Sequence, residues 1–102
     1  MSRYQLTAQA VNDLREIVAW LAEHLGEDVA VRTEDELFEK FELLADFPGL
    51  GSQRTDLTRH PFHFFLHAPY FIVYTRRTDP LMIHGILHTA RDLKRILRGR
   101  KP

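Results

Sequence analysis

Five of the six histidines, His60, His63, His67, His84 and His88, fall in the second half of the 102-residue chain. They raise two kinds of chemistry. The first is metal binding. His63 and His67 lie four apart, as do His84 and His88, but both pairs sit in aromatic and β-branched runs that read as strands. At about 3.3 Å per residue, strand positions four apart face the same way yet stand ~13 Å from each other, too far to share one ion. The chain has no cysteine, and no carboxylate lies within either pair. The ligand set that zinc requires is missing, so no metal and no other cofactor is expected.

The second chemistry is phosphodiester cleavage. A metal-independent ribonuclease needs a base for the 2′-hydroxyl, an acid for the leaving oxygen and cations for the phosphorane charge. His63, His84 and His88 with Arg76 supply those residue types, and Arg54, Arg91 and Tyr74 could assist. The same residues also suit partly buried strand histidines and solvated rim arginines, and residue type does not separate the two readings. No Gly-rich phosphate loop and no Gly-x-Ser-x-Gly turn is present.

The elements that must position these groups run from Pro61 to Asp92. Phe62 to His67, Phe71 to Arg76 and Leu81 to His88 read as three strands, separated by Ala68-Pro69 and Thr78-Asp79-Pro80. Such short connections make them an antiparallel meander. Alternation puts Phe62, Phe64 and Leu66 on one face and His63, Phe65 and His67 on the other. In the third run Ile83, Gly85 and Leu87 oppose Met82, His84, Ile86 and His88. The thoroughly apolar face is expected to receive helices, and the face with histidines, Tyr74 and Arg76 to stay open or take another cover.

Upstream, Arg3 to Leu6 reads as a short edge or added strand and Thr7 as a helix N-cap. Val11, Leu14, Val18, Leu21 and Leu25 form one helical face, and Gly26 ends that helix, which spans about Ala8 to Leu25. A second helix, capped by Asp28, carries Leu37, Phe41 and Leu44 and stops at Pro48-Gly49. Joined through Gly26 and Glu27, the two must form a hairpin. Thr89 and Asp92 have capping-box spacing before a short basic helix to Leu97. The reading is α+β: strand, antiparallel helical hairpin, three-stranded meander and C-terminal helix (β-α-α-β-β-β plus helix), one domain over residues 1–102. Leu14, Val18, Leu21, Leu37, Phe41, Leu44, Phe64, Val73 and Ile83 are expected in the core.

Hydrophobic residues at 44% and charged residues at 27% are ordinary for a folded soluble domain. No apolar run approaches a membrane span and the N-terminus lacks a signal-peptide stretch, so a cytoplasmic, membrane-free protein is expected. The zero formal charge hides a division. Residues 1–50 hold four Lys/Arg against eleven Asp/Glu, a net −7, and residues 51–102 hold ten against three, a net +7. An acidic partner or a phosphate backbone would meet the second half, unless the halves neutralise each other across the fold.

Residues along nearly the whole chain carry a family resemblance. They are Tyr4-x-Leu6-Thr7-x-x-Ala10 with Asp13-Leu14-x-x-Ile17, Gly26 with Ala30, and Leu44-Ala45-x-x-Pro48-x-x-Gly51-x-x-Arg54-x-Asp56-Leu57. Tyr70 to Tyr74 and Ile83-x-x-Ile86-Leu87-His88-x-Ala90-Arg91-Asp92-Leu93 complete the set. In this order they resemble the RelE/ParE superfamily of bacterial type II toxins, and the ParE branch in particular. The resemblance implies a toxin that inhibits DNA gyrase without catalysis of its own. It also implies neutralisation by a ParD-like antitoxin, in a complex that is a higher hetero-oligomer. RelE-type ribonucleases usually carry a basic residue where this chain has Phe64-Phe65, and tend to end soon after the last strand, whereas this chain continues into Ala90 to Leu97. The alternatives are a RelE-type mRNA endoribonuclease using His63, His84, His88 and Arg76, and a non-toxic interaction module. With the charge division, the resemblance implies antitoxin contacts at Arg54, Tyr74, Arg76 and Arg91, and target contacts at Arg91, Lys94, Arg95 and Arg98.

Overall fold

The computed structural model describes residues 3–76 and 78–102. Strand β1 (Tyr4–Leu6) leads into helix α1 (Ala8–Leu25), helix α2 (Glu27–Asp46), strands β2 (Ser52–Gln53), β3 (Phe62–His67), β4 (Tyr70–Thr75) and β5 (Leu81–His88), and helix α3 (Leu93–Arg98). This is the expected α+β order, with one short strand, β2, added between the second helix and the meander. The sheet order is β1-β5-β4-β3-β2; β1 runs parallel to β5 and the other pairs are antiparallel.

The first helix follows its local chemistry. Thr7 accepts a hydrogen bond from the Ala10 N–H at 3.1 Å, satisfying one of the donors that a helix start leaves unpaired. Gly26 ends α1 at φ 100°, a conformation that costs a residue with a Cβ but not glycine. The same glycine begins α2, so Glu27 is already helical and the expected Asp28 cap is not used. Glu27 and Asp28 instead place negative charge in the first turn, where the helix dipole favours it.

Two apolar layers enclose the sheet. On one face α1 and α2 pack Leu14, Leu37, Phe41 and Leu44 against Tyr70, Ile72, Tyr74, Ile83 and Ile86. On the other, α3 lays Leu93 and Leu97 over Phe62, Phe64, Val73 and Leu87. Of the expected core, Val18 is half-buried and the others are buried. The faces are the reverse of expectation. The hairpin covers the face with His63 and Tyr74, of which Tyr74 packs into the core beneath it, and the six-residue α3 covers the Phe62/Phe64 face.

A bulge in β5 explains part of this reversal. Val73 pairs with Gly85 and Tyr74 with Ile83, so His84 has no counterpart on β4. One extra residue reverses the alternation of a strand. Ile83 therefore faces the hairpin, and so does Ile86, while Leu87 faces α3. The C-terminal helix also begins later than expected. Thr89 N–H is taken by Pro69 O at 2.9 Å and Arg91 N–H by His88 O at 3.1 Å. Asp92 is the cap, accepting from the Arg95 N–H at 3.3 Å.

Candidate functional site

The candidate nuclease residues do not converge. His84 is buried on the α3 face: its Nε2 lies 3.1 Å from Thr75 Oγ1 and its ring 5.0 Å from that of Phe62. Burial, helped by the nearby Arg100 cation, holds its pKa below the usual value, so the neutral ring is favoured. His63 lies across the strand pair from Tyr74, with ring centroids 5.7 Å apart, on the hairpin face. His88 sits at the far end of β5, opposite Tyr70, where its Nδ1 accepts from the Ala90 N–H at 3.0 Å. His84 and His88 thus stand on opposite faces and roughly 13 Å apart along the strand. Arg76 is exposed, beside Gly49 and near His63. No acid, base and cation cluster able to share one phosphodiester forms among these four.

Tyr74 is part of the scaffold. It is fully buried; its hydroxyl donates to Pro48 O at 2.7 Å and accepts from the Gly51 N–H at 2.9 Å. Burial raises its pKa, so the phenol stays protonated and ties the loop after α2 to the sheet. A residue so enclosed cannot meet a partner in this conformation, which removes it from the surface expected to contact an antitoxin.

The remaining cations divide between two surfaces. Arg54 makes a two-pronged pair with Asp56 at 2.9 and 2.8 Å and lies 5.8 Å from the centre of the Phe71 ring. Arg91 lines a groove of about 600 Å³ between α1, α2 and the turn joining β3 to β4, with Ile17, Trp20, Leu25 and Pro69 as apolar walls. Trp20 is 53% exposed and stacks on His24 at 4.3 Å. Arg54 and Arg91 belong to one end of β4, near Phe71 and Tyr70, and Arg76 to the other, roughly 16 Å further along. The second surface lies on α3. Lys94 and Arg98, four apart and on one side of the helix, line a groove of about 410 Å³ with the loop carrying Thr55, Thr58, Arg59 and His60. Arg95 is exposed on another side of α3.

Sequence reasoning missed the contribution of Arg59 and His60 to this groove, because their meeting with α3 depends on the path of an irregular loop. It also missed the pairing of Asp13 with Arg100. Arg100 donates to both carboxylate oxygens of Asp13 at 2.8 and 2.9 Å and to His84 O at 2.8 Å, while Asp13 also accepts from the Ile86 N–H at 3.1 Å. No group of three or more His, Asp or Glu able to hold a metal ion occurs among the described residues. None of the described helices is long and apolar enough to cross a membrane.

Residues 4–93 match the family described as the ParE toxin of the type II toxin–antitoxin system parDE. The chain belongs to that family. Among solved structures it is similar to a chain described as the chromosomal ParDE TA system from P. aeruginosa. That likeness has a TM-score of 0.70 at 17% identity, covering 85% of this chain and 98% of the other. At that identity it establishes the shared fold. No curated protein sequence gives a match.

Proposed function

We propose that this toxin acts by binding DNA gyrase and is neutralised by a ParD-like antitoxin, with no phosphodiester chemistry of its own. The observation that carries this reading is the dispersal of the candidate nuclease residues. His84 is enclosed on one face, held by Thr75, whereas His88 turns to the other. General acid–base catalysis requires both partners within hydrogen-bond reach of the reacting atoms. The exposed cations Lys94, Arg95 and Arg98 on α3 suit a large target that includes DNA.

An amphipathic antitoxin segment fits the groove along α1. Ile17, Trp20 and Leu25 offer an apolar floor, and Arg91 offers a cation at its margin. Arg54, paired with Asp56, and Arg76, at the other end of β4, lie outside this groove and would contribute to the general positive field of this half of the chain. Induction of the toxin without its antitoxin tests the reading. Filamentation and a DNA-damage response are expected; translation arrest within minutes, with cleaved mRNA, would contradict it.

A further inference from the structure

The groove between α3 and the preceding loop has a composition that gyrase inhibition alone does not require. Its wall contains Arg59, Lys94 and Arg98, the hydroxyls of Thr55 and Thr58, and His60, but no carboxylate. Lys94 and Arg98 project from the same side of a helix whose other side, Leu93 and Leu97, is buried in the core. Their Cα positions are therefore fixed by packing. The opposite wall is also fixed: His60 stands 5.6 Å from the buried Phe62 ring, and its N–H is held by Thr58 Oγ1 at 3.1 Å. Asp56, next to Thr55 in the same loop, is engaged by Arg54 through two hydrogen bonds, although Lys94 also feels its charge. Three cations thus converge with hydroxyl donors on an open groove, the donor set that phosphate oxygens accept.

We propose that this groove binds the phosphodiester backbone of duplex DNA, so that the toxin contacts the nucleic acid directly. The inference deepens the gyrase reading and rests on it for the choice of DNA over RNA. Lys94 and Arg98 are one helical turn apart, about 6 Å in rise, which suits neighbouring phosphates on one strand. Contacts of this kind carry no sequence information, so binding is weak, sequence-independent and sensitive to salt.

Fluorescence anisotropy with a labelled duplex of arbitrary sequence, using the purified toxin alone, tests the groove without gyrase. With three phosphate contacts, log K should fall against log salt with a slope near −2.7, roughly a 40-fold loss between 50 and 200 mM. Lys94→Ala with Arg98→Ala should reduce the slope by about two, and Arg59→Ala by about one. Lys94→Arg should retain binding, and Arg32→Ala, on the acidic α2, should leave it unchanged. Thermal unfolding of each variant confirms that the exposed substitutions leave the fold intact. A duplex affinity without salt dependence, no measurable binding, or an unchanged slope in the double variant would overturn the proposal. So would preferential capture of single-stranded RNA of equal length. A toxin that inhibits gyrase but does not bind DNA would sink the groove and leave the gyrase reading standing. DNA binding without gyrase inhibition would do the reverse.

Discussion

Asp13 in α1 and Arg100 beyond α3, 87 residues apart in sequence, form a buried ion pair with two parallel hydrogen bonds. The pair closes the open edge of β5, past the point where β1 stops at Ile83. Arg100 takes the His84 carbonyl and Asp13 the Ile86 N–H, two backbone groups that no neighbouring strand reaches on that side. Gly85 makes room: a Cβ there would stand 2.9 Å from the Arg100 Nη1. The segment following α3 on one face of the sheet is thereby fastened to α1 on the other.

Removing one partner strands the other's charge in a buried site, which typically costs about 3–5 kcal/mol. Arg100→Met and Asp13→Leu should each lower stability by that order in urea unfolding. The double variant should be less damaged than the sum of the two. It should not return to wild type, because the Ile86 N–H and His84 carbonyl stay unpaired at about 1–3 kcal/mol each. Strict additivity would show that the pair is not coupled in solution.

Phe41 is fully buried among both helices and the sheet, against Tyr4 at 5.5 Å and Phe38 at 5.7 Å. Phe41→Ala should cost about 3–5 kcal/mol by the same unfolding measurement. A loss under about 1 kcal/mol would mean that this helix face is not the one packed on the sheet.

Much of this was readable in the sequence, and the failures have physical causes. Thr7 and Gly26 announce α1 because capping and positive φ are local requirements. The periodicity of Leu37, Phe41 and Leu44 likewise fixes which side of α2 is buried. The β5 bulge leaves no such trace: nothing in the sequence marks His84 as the extra residue, yet it puts Ile83 on the face of Ile86 and opposite Leu87. Tyr74 misled because a tyrosine reads as amphipathic until its hydroxyl partners, Pro48 and Gly51, are known. Arg100 lies among other cations, Arg98 and Lys101, and nothing local marks it as the partner of Asp13.

The depressed pKa of His84 has a pH signature. The folded protein favours the neutral ring, whereas the unfolded chain binds a proton near pH 6.5. This contribution to stability is therefore fully present above about pH 6.5. It diminishes as pH falls through that value toward the folded-state pKa, and is constant below it. Unfolding free energy measured from pH 7.5 downward should fall more steeply in the wild type than in His84→Gln. Identical slopes would show that His84 is accessible to protons in the fold.

Antitoxin association should be partly steered by charge. Arg54, Arg76 and Arg91 lie in the half of the chain that carries net +7. Stopped-flow association with a ParD-like peptide should slow by roughly tenfold between low and physiological salt, the range steering commonly contributes. Arg91→Ala should lower the rate with little change in stability, since Arg91 is exposed. A rate indifferent to salt would leave docking to the apolar groove alone.

The central claim is that the toxin binds gyrase and cuts nothing itself, and a supercoiling assay with purified gyrase tests it most directly. The wild type should inhibit supercoiling while leaving mRNA on translating ribosomes intact. Replacing His63, His84 or His88 by Gln should keep inhibition within a few-fold in every variant that folds, whereas a true acid or base would cost ~10²–10⁴-fold. Unimpaired supercoiling, together with RNA cleavage abolished by one stable histidine substitution, would contradict the account.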